Sequence, residues 1–458
     1  MTGGLHVTGG AGGITARYED MDAVSRILRA TGADLLDLAG GCHRWLADLD
    51  VAVSAILDPA GAKRFEGAML AALDGPRGLT AAACAIELGG IRLAAAVVAY
   101  RAQDALLADM MDLRRYAQVA MDVATFPIWA VGPATVGIGA ATFGSGGSGR
   151  DAGAEAERLL TEHPGIVDEM VDHGPGVLAA LTRLPVPKKL EQVCGGIGLF
   201  YPGGHPKVED QPADLNPAAI RVPSGVADLL AALQRRNSQA AGQIDVRTVT
   251  YVGPDGSVHR SHIVDIPGTK EWNLPGHSDS VNDFGTNVRG LAGEQTTYEK
   301  GVAEALDRAG VRPDEPLLLV GHSQGGIVAL HAANSFATSG RYLVTAVVTA
   351  GSPVGRLTVP NSVQVLSLEN ANDIVPHLDG QPNPDQANRT TVTFHHQTGS
   401  IGANHAIDES YFESGQQVDS STAASIAAWR RSVEDTFLFR PGALAAVEAK
   451  VYQLSRVP

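Results

Sequence analysis

The stretch PLLLVGHSQGGIVALHAA (Pro316–Ala333) decides how this chain is read. Leu317–Val320 is a short apolar run of the kind that forms a buried parallel strand. Ile327–Ala333 starts a helix, and between the two lies Gly321-His322-Ser323-Gln324-Gly325. A G-x-S-x-G pattern has mechanical meaning only in that setting of strand, sharp turn and helix. There the serine is held in a strained backbone conformation that lifts its hydroxyl clear of the sheet. Glycines two residues to either side keep the neighbouring strand and helix from colliding. The helix start also aims free N–H groups at an anion. Gly276-His277-Ser278-Asp279-Ser280 shows what the setting adds: it shares the GHS but has no final glycine, no strand before it and no helix after it. Ser323 is therefore the candidate nucleophile.

A serine hydroxyl becomes a useful nucleophile when a base takes its proton, and the base imidazole must itself be oriented by a carboxylate. In chains with such a turn the acid and base come later, at the C-terminal ends of later strands. The β-rich run Val363–Leu368 leads into Glu369-Asn370-Ala371-Asn372-Asp373, which makes Asp373 the candidate acid, with Glu369 second. A turn-capping residue is the plainer reading of Asp373. The candidate base is His405, across a Gly/Ser loop from the strand Thr391–His395; His395 and His396 compete with it, and His377 is too near Asp373 along the chain. An oxyanion needs two preorganised donors. Gln324, directly after the nucleophile, supplies one N–H. Thr269 in Pro267-Gly268-Thr269, after a run ending at Ile266, supplies the other through its N–H and its hydroxyl. A simple Pro-Gly turn is the alternative there.

Around these residues strands alternate with helices. Val246–Val252 and Val258–Ile266 flank Pro254-Asp255-Gly256-Ser257, a hairpin signal. Helices are expected at Pro223–Arg236, Thr296–Ala309, 327–337, about 421–436 and about 442–454. The pattern predicts an α/β fold over 220–458, with a mostly parallel sheet, helices on both faces and helices closing the chain.

The first 122 residues have a different texture. After a Gly-rich leader (1–13) expected to be mobile, Val24, Leu28, Thr31, Leu35, Leu38, Cys42, Trp45, Leu49, Ala52 and Ile56 recur in steps of three and four. That seam suits helices packed on one another, with a bend expected at Gly40-Gly41 and a turn at Asp58–Gly61. An all-α helical bundle over 1–122 is predicted, then a connecting region over 123–219. The connection opens with an uncharged apolar segment, Val123–Gly149. It is long enough to span a bilayer, but its prolines and glycines favour a buried or reversibly inserting hairpin.

The chain has 458 residues, 44% of them apolar, and a net charge of −15. Two or three domains are the expectation. The acidity argues against nucleic acid as a partner. Three dispersed cysteines (Cys42, Cys84, Cys194) suggest buried thiols, not a disulfide framework or metal cluster. The chemistry expected at Ser323 needs no metal or organic cofactor. The opening MTGGLHVTGGAGG lacks the features of a general secretory signal. The expectation is a cytoplasmic protein, or one of the cell envelope exported by another route.

VGHSQGGIVAL, TAGSPVG (Thr349–Gly355), NDIVPHL (Asn372–Leu378) and NHAIDESY (Asn404–Tyr411) together resemble the class 3 lipases of the α/β-hydrolase fold over about residues 245–412. Gln324 stands where that family has Leu, and 32 residues separate Asp373 from His405, a short interval for it. The resemblance implies a serine hydrolase of carboxylic esters, with lipid or another acyl ester as substrate and Pro267-Gly268-Thr269 as oxyanion loop. An acyltransferase would use the same residues, and a catalytically idle interaction protein is the rival of another class. The N-terminal helices loosely resemble type VII secretion substrate modules through Tyr100-x-x-x-Asp104, Tyr18-x-x-x-Asp22 and Trp45, with Ala47 in place of that family's glycine. This implies contact with a membrane or secretion apparatus through the helices and residues 123–149.

Overall fold

The computed structural model describes residues 5–10, 18–94, 157–158, 160–165, 167–168, 171, 189–201, 203–212, 220–253, 255–272, 278–439 and 444–458. The expectations for 123–149 and for Tyr100-x-x-x-Asp104 lie outside these residues. The chain divides into two compact units, one of Thr15–Ile128 and one that joins Met1–Ile14 to Trp129–Pro458.

The smaller unit is helical. Helix α1 (Tyr18–Leu46) runs through Gly40-Gly41 without the expected interruption. The break comes at Asp48, whose side chain accepts from Asp50 N and caps α2 (Leu49–Leu57). Asp58 caps α3 (Pro59–Asp74) by accepting from Gly61 N, with Pro59 in the first turn where a missing N–H costs nothing. The expected turn at Asp58–Gly61 is thus a helix start. Residues 79–94 are also helical and meet α1 at small side chains: Ser25 Oγ donates to Gly90 O at 2.9 Å. Ala39, Leu73 and Ala83 are buried, whereas Val24, Leu38, Trp45, Leu49 and Ile56 of the seam are exposed.

The larger unit is built on one nine-stranded sheet. In chain order its elements begin with β1 (His6–Gly9), α4 (Leu190–Gly198), β2 (His205–Gln211), α5 (Val226–Asn237), β3 (Gln243–Val252) and β4 (Val258–Ile266). Next come α6 (Phe284–Leu291), α7 (Thr297–Ala309), β5 (Pro316–His322), α8 (Gln324–Ser339), β6 (Leu343–Ala350), β7 (Gln364–Asn370) and β8 (Arg389–Phe394). A short α9 (Ile401–His405), α10 (Phe412–Ser420), α11 (Ala424–Phe437) and β9 (Leu444–Val457) follow. The strand order is β1-β8-β7-β6-β5-β4-β3-β9-β2. Strands β4 to β8 run parallel in the middle, and antiparallel pairs close both sides.

β5 lies at the centre and is buried on both faces, so it reads as a continuous apolar run. Alternation still assigns its side chains: Leu317 and Leu319 join the core under α7 and α8, while Leu318 and Val320 join the core under α5 and α11.

In the sheet unit two expectations fail. Residues 444–457 form β9, between β3 and β2, not a closing helix. Ala, Glu and Lys there favour a helix locally. However, Ala445, Val447, Ala449 and Val451 point inward while Leu444, Ala446, Glu448 and Lys450 point out, a period of two. Ten paired positions with β3 outweigh the local preference. At the other end, His6–Gly9, expected within a mobile leader, pairs antiparallel with β8.

Candidate active site

The sheet order, the crossover helices and the sharp turn after β5 make this an α/β-hydrolase fold, in which ligands and chemistry gather beyond the C-terminal ends of the parallel strands. Ser323 occupies the turn between β5 and α8 at φ 56°, ψ −124°, and is the one non-glycine residue with positive φ among the described residues. Such a conformation costs of order 1–3 kcal/mol and persists only where its surroundings enforce it. Ser323 N donates to Ala350 O at 3.0 Å, and a Cβ on Gly325 would stand 1.9 Å from Ile266 O. The tight turn is thus clamped between β4 and β6.

Asp373 follows β7 and is fully buried. Its Oδ2 accepts from His405 Nδ1 at 2.7 Å and from Tyr411 OH at 2.6 Å, and its Oδ1 accepts from Val375 N at 2.9 Å. Burial first, and the Asp373 carboxylate next, push the Tyr411 phenol well above its ordinary pKa, so Tyr411 is a permanent donor here. With Nδ1–H given to Asp373, the neutral His405 ring leaves Nε2 as its basic nitrogen. Among the described residues no hydrogen bond joins that ring to Ser323 Oγ. The neighbourhood is nonetheless shared. Gly351 (φ +58°), next to Ala350, lies so close that a Cβ there would be 3.0 Å from both Asp373 Oδ2 and His405 Nδ1.

The loops that carry Asp373 and His405 are laced by amides. Asn370 Nδ2 donates to Asn404 O (3.0 Å) and His396 O (2.8 Å), and Asn404 Nδ2 donates to Asn372 O (2.8 Å). The competing residues are elsewhere. His395 is exposed, His377 pairs with Asp168 at 2.6 Å, and Glu369 accepts from Asn383 Nδ2 at 2.5 Å. Desolvation pushes the Glu369 carboxyl up to about 7. The decoy Ser278 is tied to Glu271 at 2.8 Å.

His322 was not singled out by sequence. Its ring stacks on that of His405, with centroids 4.5 Å apart, and its Nε2 donates to His405 O at 2.9 Å. The loop Pro267–Thr269 packs against both Ser323 and His322: a Cβ on Gly268 would be 2.9 Å from Ser323 Cβ and 3.3 Å from His322 Nδ1. Asn282 Nδ2 holds that loop by donating to Gly268 O at 3.1 Å. Gln324 opens α8, so the helix itself leaves its N–H without an acceptor. Its side chain is occupied elsewhere, donating to Asp283 O at 2.7 Å. Tyr411 lay within a quoted motif but carried no role, and the asparagines gave no local signal, because each acts across elements distant in sequence.

Residues 246–452 match the alpha/beta hydrolase family. It is the broad family that matches, and the narrower class 3 likeness rests on the motifs alone. No curated protein matches the chain. Among solved structures, the product of the gene lin2722 from Listeria innocua is similar at 13% identity and a TM-score of 0.21, covering 48% of this chain and 93% of that one. EstE1, a thermophilic and thermostable carboxylesterase cloned from a metagenomic library, is similar at 13% identity and a TM-score of 0.23, covering 53% of this chain and 95% of that one. Similarities this weak carry no argument about activity.

Proposed function

We propose that this protein is a serine hydrolase of carboxylic esters that works through an acyl-enzyme on Ser323. Two observations support the reading: the strained backbone of Ser323, and the hydrogen bond from His405 to the buried Asp373. Strain of this kind has no packing use for so small a side chain, but it presents a hydroxyl. In the proposed reaction His405 Nε2 takes the proton as Ser323 Oγ attacks the ester carbonyl, then returns it to the leaving alkoxide. Asp373, fixed by Tyr411 and Val375 N, stabilises the imidazolium. Gln324 N–H and Thr269 bind the tetrahedral oxyanion. Water then repeats the sequence on the acyl-enzyme. The class 3 likeness of the motifs directs the choice of substrate toward acyl esters of lipids.

A fluorophosphonate probe tests this reading. The wild-type chain is expected to be labelled and Ser323→Ala to stay unlabelled while keeping the wild-type melting temperature. A wild type that takes no label would sink the enzymatic reading and leave a binding protein.

A further inference from the structure

A threonine hydroxyl has one hydrogen to give and two lone pairs to receive with. Where Thr269 spends its hydrogen decides whether the side chain can help an oxyanion. Asn287 Nδ2 lies 2.8 Å from Thr269 Oγ1. An amide nitrogen only donates, so Thr269 Oγ1 is the acceptor of that bond and keeps its own hydrogen. Among the described residues no acceptor takes that hydrogen. Thr269 directly follows Gly268, the residue packed against Ser323.

The helix that carries Asn287 is itself held at its start. It rides on α6, whose N-cap Asp283 accepts from Thr286 N at 2.9 Å. The Asp283 carboxylate takes both terminal nitrogens of Arg456, at 2.6 and 3.1 Å. The Asp283 carbonyl receives Gln324 Nε2, so the helix is tethered to the residue after the nucleophile. Asn282, next to that cap, fixes Gly268 O. Elbow, oxyanion loop and α6 are therefore tied to one another by hydrogen bonds, and Asn287 sits on α6 within that set.

We propose that Asn287 is a positioning residue: by donating to Thr269 Oγ1 it turns the Thr269 hydroxyl hydrogen toward the oxyanion that forms at Ser323. The proposal rests on the serine-hydrolase reading and adds a side-chain donor to the two backbone ones. It ranks the substitutions by proton bookkeeping. Thr269→Val removes the donor and is expected to lower kcat on the order of 10²-fold with KM little changed. Asn287→Asp has the same shape but only accepts, so it captures the hydrogen and costs as much as Thr269→Val. Asn287→Ala leaves the hydroxyl free to rotate and costs less. Thr269→Ser retains most activity. In a Thr269→Val background, Asn287→Asp costs nothing further, because the group it acts through is gone.

The experiment is p-nitrophenyl acetate hydrolysis by the full chain across this double-mutant cycle. The coupled pattern supports the proposal. Asn287→Asp within about twofold of wild type overturns it, and so does a loss that adds to that of Thr269→Val, which marks a merely structural part. A wild type without hydrolysis overturns the parent reading, and the proposal falls with it. Should Asn287→Asp not fold, Asn287→Ala in the same cycle decides: a loss that vanishes in the Thr269→Val background supports the proposal, and an equal loss in both backgrounds overturns it.

Discussion

One residue before Ser323, His322 is buried and neutral. Desolvation first, and then the adjacent His405, hold its pKa well below the ordinary histidine value, although the bond to the His405 carbonyl works the other way. That carbonyl can only accept, so Nε2 carries the hydrogen and Nδ1 is bare, without a partner among the described residues. The stability consequence has a definite sign. Above about pH 6.5 the ring is neutral in both folded and unfolded chains and is silent. Below it the unfolded chain takes up a proton that the fold refuses, so stability falls with pH until the buried ring is itself protonated. Thermal melts of wild type and His322→Gln are expected to diverge as the pH drops from 7 toward about 5, the wild type losing more; a constant difference would refute the buried neutral ring. At this scale much was legible in the sequence. That Asp373 and His405 meet followed from two strand ends marked by turn residues. Gly351 sat in a quoted GSP turn. Tyr411, Asn287 and the asparagine lacing were not legible, since hydrogen bonds across elements leave no local pattern.

At the scale of elements, β9 is the instructive misreading. Its alternation was present in Ala445, Val447, Ala449 and Val451, but helix formers occupied the outward positions. Local propensity and register competed, and the ladder to β3 and β2 decided. The hairpin β3–β4 was legible because both runs were β-branched and a Pro-Asp-Gly-Ser turn lay between them. The strand carries a function no helix there could: Arg456 reaches from its end to Asp283, and both side chains are buried. Removing one member of a buried pair strands the other, at a cost of about 3–5 kcal/mol. Arg456→Met is therefore expected to lower unfolding stability by that order in urea. Asp283→Asn on top of it is expected to cost less than it does alone, and equal costs in the two backgrounds would contradict a direct pairing.

On the scale of the whole molecule, the larger unit is assembled from two separate lengths of chain, with residues 15–128 forming a unit of their own. Strand β1 makes the join. It pairs with β8 over His6–Gly9, Gly10 N donates to Gln386 O at 2.9 Å, and Ser425 Oγ donates to Gly9 O at 2.7 Å. Deleting residues 1–10 is therefore expected to lower the melting temperature of the sheet unit by several degrees, as about 2 kcal/mol would do in a domain of this size. An unchanged transition would mean that β1 is ornamental. No single-sequence pattern announced this strand, since four residues flanked by glycines are too few to show a period. The placement of β9 has a temporal consequence. It lies inside the sheet, between β3 and β2, yet along the chain it follows the other eight described strands, so a ribosome makes it after them. During translation β3 must wait with one flank bare, and Arg456 is not yet there to fix Asp283. The nascent chain can close this side of its sheet only when its youngest strand slides into a gap left open by its elders.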